Sequence, residues 1–135
     1  MMDQFIESLD SRMRPMAYDW LHIVRDDLGL NVRATEGLRD KARQEAVFAA
    51  GASKVKVGFH NYGLALDFAC IGTSGVYITD GDAPEYLRCG LIWEAVAFPH
   101  GYWGGRWKMK DSGHIEWHPE GKSLQQVIDS GVIHV

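Results

Sequence analysis

Two short stretches of alternating side chains most constrain how this chain can fold, because each carries ligand-type residues on one face and apolar residues on the other. In Ala65-Leu66-Asp67-Phe68-Ala69-Cys70 the alternation puts Leu66, Phe68 and Cys70 on one side of a strand and Asp67, between two alanines, on the other. In His114-Ile115-Glu116-Trp117-His118 it points His114, Glu116 and His118 one way and Ile115 and Trp117 the other. A carboxylate in so apolar a strand is costly to bury unless it is paired or bound to a metal. Its small neighbours leave room for an ion. His60 precedes Asp67 by seven positions, and Gly63 permits a close turn between them. Two imidazoles and one carboxylate, His60, Asp67 and His114, make a three-ligand zinc set that leaves the fourth position for a water. Asp111, three residues before His114, is the natural proton acceptor from that water.

The remaining periodicity describes an α+β chain, a small antiparallel sheet flanked by helices. Phe5, Leu9, Met13, Met16, Trp20, Ile23 and Val24 recur at helical spacing. Pro15 divides that region into a short helix and a main one from about Pro15 to Leu28. Asn31 to Thr35 reads as a strand, and Asp40 to Ala50 as a helix stopped by Gly51. Residues 65–71 and 75–79 read as a hairpin turning at Thr73-Ser74-Gly75. Pro84 to Ala97 reads as a helix, the Gly104-Gly105 stretch leads into a strand at Trp107, 114–118 forms the final strand, and Ser123 to Ser130 a closing helix. Nothing resembling a linker or repeat divides residues 1–135, which read as one domain large enough for a real core.

Bulk composition narrows the function. A net charge of −4 argues against non-specific nucleic-acid binding, which needs a basic face. No stretch approaches the length of a membrane span, and no charged-then-apolar leader is visible at Met1. Cys70 and Cys89 lie in separate apolar stretches and read as small buried hydrophobes of a reducing compartment, not as a disulfide framework.

At these residues the chain resembles a family of zinc peptidases. It includes D-alanyl-D-alanine carboxypeptidases, vancomycin-resistance D,D-dipeptidases and the L-alanyl-D-glutamate endopeptidases of phage endolysins. His60, Gly63, Ala65 and Asp67 match the family's first motif, and Asp111 and His114 its second. Val32 to Arg39 resembles the strand and turn ending in the family's arginine, and Trp103-Gly104-Gly105-Arg106-Trp107 resembles the Trp-Gly-Gly-x-Trp stretch of the endolysin branch. The match runs from roughly Met16 to Trp117. Gly58 stands where serine is usual, Arg106 where an acidic residue is usual and Gly113 where proline is common, and the loop between Gly51 and His60 is short for the family.

The resemblance implies the zinc D,D-peptidase and Hedgehog-like fold, with His60, Asp67 and His114 holding Zn²⁺ and Asp111 passing the proton from water to the leaving amine. It implies that Arg39 holds substrate or stabilises charge on the attacked carbonyl oxygen. The use of Asp as base, together with Trp103-Gly104-Gly105, points to the branch that cuts the L-Ala–D-Glu bond of the peptidoglycan stem peptide. It further implies a monomer that accumulates in the host cytoplasm without a signal peptide and is released by a separate holin-type partner. Trp103 is assigned to the substrate side, although Trp103 and Trp107 read equally as core, and His118 is placed either behind the metal ligands or on the substrate side. His22, His100 and His134 read as ordinary surface or core histidines, and Glu116 is the second candidate for the base. Two alternatives stand beside this reading. One is a D,D-carboxypeptidase, in which Arg39 or Arg106 would bind the terminal carboxylate. The other is a non-catalytic zinc-stabilised peptidoglycan-binding domain, in which His118 would close the metal's fourth position.

Overall fold

The computed structural model describes residues 2–51 and 57–130. Most of the short loop before His60, and His134, lie outside them. The chain enters through helix α1 (Gln4–Glu7), whose N-cap Asp3 accepts hydrogen bonds from the backbone N–H groups of Phe5 and Ile6. Helix α2 (Arg14–His22) has Pro15 in its first turn, where a missing N–H costs nothing. It continues into a π turn over Ile23–Asp27, so the expected helix to Leu28 is present, but its last turn is wider than the 3.6-residue period describes.

Four antiparallel strands, β1 (Asn31–Glu36), β2 (Ala65–Ile71), β3 (Gly101–Trp103) and β4 (His114–Trp117), lie in the order β1-β2-β4-β3. Between them come α3 (Lys41–Ala49), capped by the Asp40 carboxylate on the Arg43 N–H, and α4 (Pro84–Val96); α5 (Leu124–Ser130) follows the sheet. The apolar faces do what alternation requires. Leu66, Phe68, Cys70 and Ile115 are buried, and with Val32 and Ala34 they cover Trp20 and Trp93 from α2 and α4. Trp20 meets Phe68 edge-on at 5.1 Å and Trp93 at 6.5 Å. The indole N–H groups are satisfied in the core: Trp20 donates to the Cys89 carbonyl and Trp93 to the Glu116 carbonyl. Cys70 and Cys89 are buried free thiols, as expected. Among the described residues no helix is long and apolar enough to cross a membrane.

Two expectations change. The 75–79 segment is not a second hairpin strand; it contributes a single bridge, Ile71 to Tyr77, plus bonds from the Gly72 N–H to the Val76 carbonyl and from the Ile78 N–H to the Cys70 carbonyl. β4 takes that edge of β2 from Ala65 to Asp67, and Val76 and Tyr77 have no core beneath them, being 66% and 52% exposed. The strand associated with the Gly-Gly stretch precedes it, as β3, while Gly104–Arg106 forms a 3₁₀ turn and Trp107 follows that turn. The cause is a close approach: a Cβ on Gly104 would lie 2.3 Å from the Asp111 carbonyl oxygen, and the Asp111 N–H donates to the Gly104 carbonyl. The diglycine folds the chain back onto the residue expected to act as base.

Candidate active site

Sheet register assembles the site. In the β2–β4 ladder Asp67 stands directly opposite His114, so a pairing set by the hydrophobic faces brings two of the three expected ligands together. His60 arrives from a 3₁₀ turn, Phe59–Tyr62, that ends on Gly63 in the left-handed conformation with φ of 66°. A side chain there would meet the Asp10 backbone nitrogen at 2.7 Å, so this turn needs glycine on both counts. Gly58 stands in place of the family's serine, and its backbone N–H donates to the Asn61 side chain, closing the start of the turn. Asn61 also donates to the Arg39 carbonyl, and the Arg39 N–H donates to the His60 carbonyl, stitching the turn to the segment after β1.

The three ligand-type residues converge with their donor atoms within 4.8 Å of one another. His60 Nε2 lies 3.1 Å and His114 Nδ1 2.9 Å from Asp67 Oδ1. Both residues are 7% exposed or less. Each is aimed by its other nitrogen. His60 Nδ1 is 2.8 Å from the Gly37 carbonyl, which can only accept, so Nδ1 carries hydrogen and Nε2 faces Asp67. His114 Nε2 is 2.7 Å from Glu116 Oε1, which leaves Nδ1 for Asp67. A metal-binding imidazole that donates its far N–H to a carbonyl or carboxylate is the usual outer-sphere arrangement. The residues therefore fit a zinc ion: two imidazoles and a carboxylate of suitable type, with both ring tautomers set for ligation.

The electrostatics agree. Burial alone would raise the Asp67 carboxyl, but hydrogen bonds from His114 and His60 outweigh it and hold the group well below the usual carboxylate range. Burial opposes charge on His114, yet Asp67 and Glu116 on its two sides raise its pKa to about 10. Glu116 is lowered despite its own burial, through bonds with His114 and His118. His114 thus lies between two carboxylates, Asp67 at one ring nitrogen and Glu116 at the other.

Asp111 lies at the mouth, with Oδ2 3.9 Å from His114 Nδ1 and 58% of its side chain exposed. Partial desolvation raises its carboxyl. Glu116, the second candidate for the base, lies behind His114 on the Nε2 side and is buried, so it orients the ring and does not face the cleft.

Arg39 is brought to the site, where its guanidinium is held by acidic and amide partners. Its guanidinium makes two bonds with Glu36, at 2.9 and 2.6 Å, and one with Gln44 at 2.7 Å. Nη2 then reaches Asp67 Oδ2 at 3.5 Å. The Arg39 side chain is 8% exposed, so it steadies the outer oxygen of Asp67. Glu36, held low by this partner, was missed in the sequence, although its position three residues before Arg39 was a signal. Arg106, the other cation considered for a terminal carboxylate, pairs with Glu94 on α4.

Trp103 is corrected to a core role. It is 6% exposed, lies against Gly90 and Gly105, and donates its indole N–H to the Ser112 carbonyl at 2.8 Å. Trp107 is the tryptophan at the site, 39% exposed with its ring 5.1 Å from that of His114. His118 is kept from the ligand cluster by its bond to Glu116 Oε2, and its ring stacks on Phe59 at 4.1 Å and leans on Tyr102 at 4.3 Å.

This sheet, with ligand-type side chains facing each other across its central strands, is the architecture of a metallopeptidase. Comparison with known proteins gives the family. A family model described as D-alanyl-D-alanine carboxypeptidase, of the M15 peptidases, matches residues 51–117. The peptidoglycan L-alanyl-D-glutamate endopeptidase CwlK of Bacillus subtilis (strain 168) is 31% identical over 118 residues, an alignment covering 75% of this chain and 69% of CwlK. The crystal structure of the Serratia marcescens L-Ala D-Glu endopeptidase ChiX superposes with a TM-score of 0.64 at 24% identity, over 85% of this chain and 84% of ChiX. The LdcB LD-carboxypeptidase superposes with a TM-score of 0.58 at 11% identity, over 98% of this chain and 69% of LdcB. The chain belongs to the M15 D-alanyl-D-alanine carboxypeptidase family and is a metallopeptidase.

Proposed function

We propose that this protein is a zinc-dependent peptidoglycan endopeptidase that cuts the L-Ala–D-Glu bond of the stem peptide. The observation that carries the reading is the convergence of His60, Asp67 and His114 donor atoms within 4.8 Å, with Asp111 beside them at the mouth. Bound zinc would supply Lewis acidity at the scissile carbonyl and make water a competent nucleophile near neutral pH. His60, Asp67 and His114 would hold the ion. Asp111 accepts the proton from the attacking water and returns it to the leaving amine. Glu116 and Arg39 keep His114 and Asp67 in their ligating orientations.

Two observations favour the endopeptidase over a carboxypeptidase. Both CwlK and ChiX bear the name of L-Ala–D-Glu endopeptidases. Both cations considered for a terminal carboxylate, Arg39 and Arg106, are already committed to Glu36 and Glu94. Carboxypeptidase activity is the second reading, because the matching family model carries that description. Synthetic substrates separate the two. A stem peptide with an internal L-Ala–D-Glu bond should yield free L-Ala and a peptide beginning at D-Glu; release of only terminal D-Ala would establish the carboxypeptidase. The proposed endolysin role, as a single-domain monomer released by a holin-type partner, is carried over from the resemblance to the endolysin branch, which Asp111 and the Trp103-Gly104-Gly105 stretch support. Host lysis only on co-expression with a membrane-permeabilising protein would support it.

A further inference from the structure

His118 is bound on three sides, partly buried, and turned to Glu116. Its Nε2 meets Glu116 Oε2, its ring is clamped between Phe59 and Tyr102, and its backbone N–H donates to the His100 carbonyl at 3.0 Å. Phe59 belongs to the turn that delivers His60, and Tyr102 pairs with Glu116 across the β3–β4 ladder. The clamp therefore joins the segments that carry two of the ligands.

Glu116 is 6% exposed, and its two oxygens are divided between two imidazoles, Oε1 to His114 Nε2 and Oε2 to His118 Nε2. An ionised carboxylate only accepts, so both Nε2 atoms carry hydrogen. A carboxylate held at one oxygen can still rotate about its last torsion, which is broad. Held at both, it has one orientation. In that orientation Oε1 keeps the proton on Nε2 of His114 and frees Nδ1 for the side where Asp67 and His60 converge.

We propose that His118 is a positioning residue for the metal centre. Clamped by Phe59 and Tyr102, it locks the Glu116 carboxylate so that His114 is committed to ligation through Nδ1. The inference rests on the zinc reading above and goes beyond the ligand set to the device that selects the ligating nitrogen.

The test is zinc affinity of the full chain, measured by competition with a chromophoric chelator, for wild type, His118→Phe, His118→Gln, Glu116→Gln and the Glu116→Gln/His118→Phe double variant. His118→Phe keeps a ring in the clamp and removes the donor. It is expected to weaken zinc binding roughly 10- to 100-fold, the usual cost of losing an outer-sphere partner. His118→Gln, which restores a donor, should recover most of that loss, and it carries the test if the Phe variant does not fold. In the Glu116→Gln background His118→Phe should cost nothing further. In ¹⁵N spectra of the zinc-loaded protein, His114 should be a pure Nε2–H tautomer in wild type and lose that purity in His118→Phe. Unchanged zinc affinity in a folded His118→Phe variant, or an equal loss with and without Glu116, would overturn the proposal while leaving the zinc reading intact. Absence of zinc binding by the wild type would overturn both.

Discussion

Asp67 Oδ1 lies within hydrogen-bond distance of two imidazole nitrogens at once, while Arg39 approaches its other oxygen. On the proposed zinc reading, a carboxylate so surrounded serves as a ligand, and the proton traffic falls to Asp111. Replacing Asp111 by Asn should leave zinc stoichiometry and fold intact and lower kcat by roughly 10²- to 10⁴-fold, the range of general acid–base assistance. Steady-state kinetics alongside metal analysis checks this, and near-normal turnover would remove Asp111 from the mechanism. His114→Ala should reduce bound zinc well below one per chain; full occupancy would refute its role as ligand. The convergence of His60, Asp67 and His114, with Asp111 close to His114, was legible in the sequence because alternation and spacing restrict where such side chains can point. The position of Glu116 behind His114 was not, since it depends on the imidazole's rotation, which no spacing records. Trp103 misled for a related reason: β3 ends on it, and its ring closes onto Gly90 and Gly105, contacts that distant parts of the chain supply.

Among the elements, β2 and β4 were legible nearly to the residue, because a strand with one apolar face admits one register and a slip would turn Asp67 and His114 into the core. The 75–79 segment and the placement of β3 were not. Alternation describes a strand's faces, and whether a partner edge is free depends on the order β1-β2-β4-β3. The π turn after α2 likewise escaped, since apolar spacing does not distinguish it from a continuing α-helix. The turn between His60 and β2 makes the sharpest test at this scale. Gly63 has φ of 66°, and a Cβ would press on the Asp10 nitrogen at 2.7 Å. Gly63→Ala should therefore destabilise the protein by about 1–3 kcal/mol, the cost of a strained backbone position. Urea denaturation followed by circular dichroism measures this, and an unchanged midpoint would show that the turn is not constrained as described.

The whole molecule couples its stability to the charge state of the site. In the metal-free protein His114 is raised from 6.5 to about 10 by its two carboxylate partners. A base with a raised folded pKa contributes stability fully present below its unfolded value and lost as pH rises through the folded one. Metal-free protein should accordingly lose stability between about pH 6.5 and about pH 10. The zinc-loaded form, in which His114 has already given up its proton, should lack that decline, and zinc binding near neutral pH should release a proton. Thermal melts across pH, with and without chelator, read both, and parallel curves would contradict the link between His114 and the metal. The most direct test of the central claim is mass spectrometry of purified peptidoglycan digested by the protein, by the protein with a zinc chelator, and by the chelated protein after zinc is restored. The expected result is stem peptides beginning at D-Glu, with L-Ala left on the glycan, lost on chelation and regained with zinc. The same products undiminished by chelation, or no products from metal-replete protein, would contradict it.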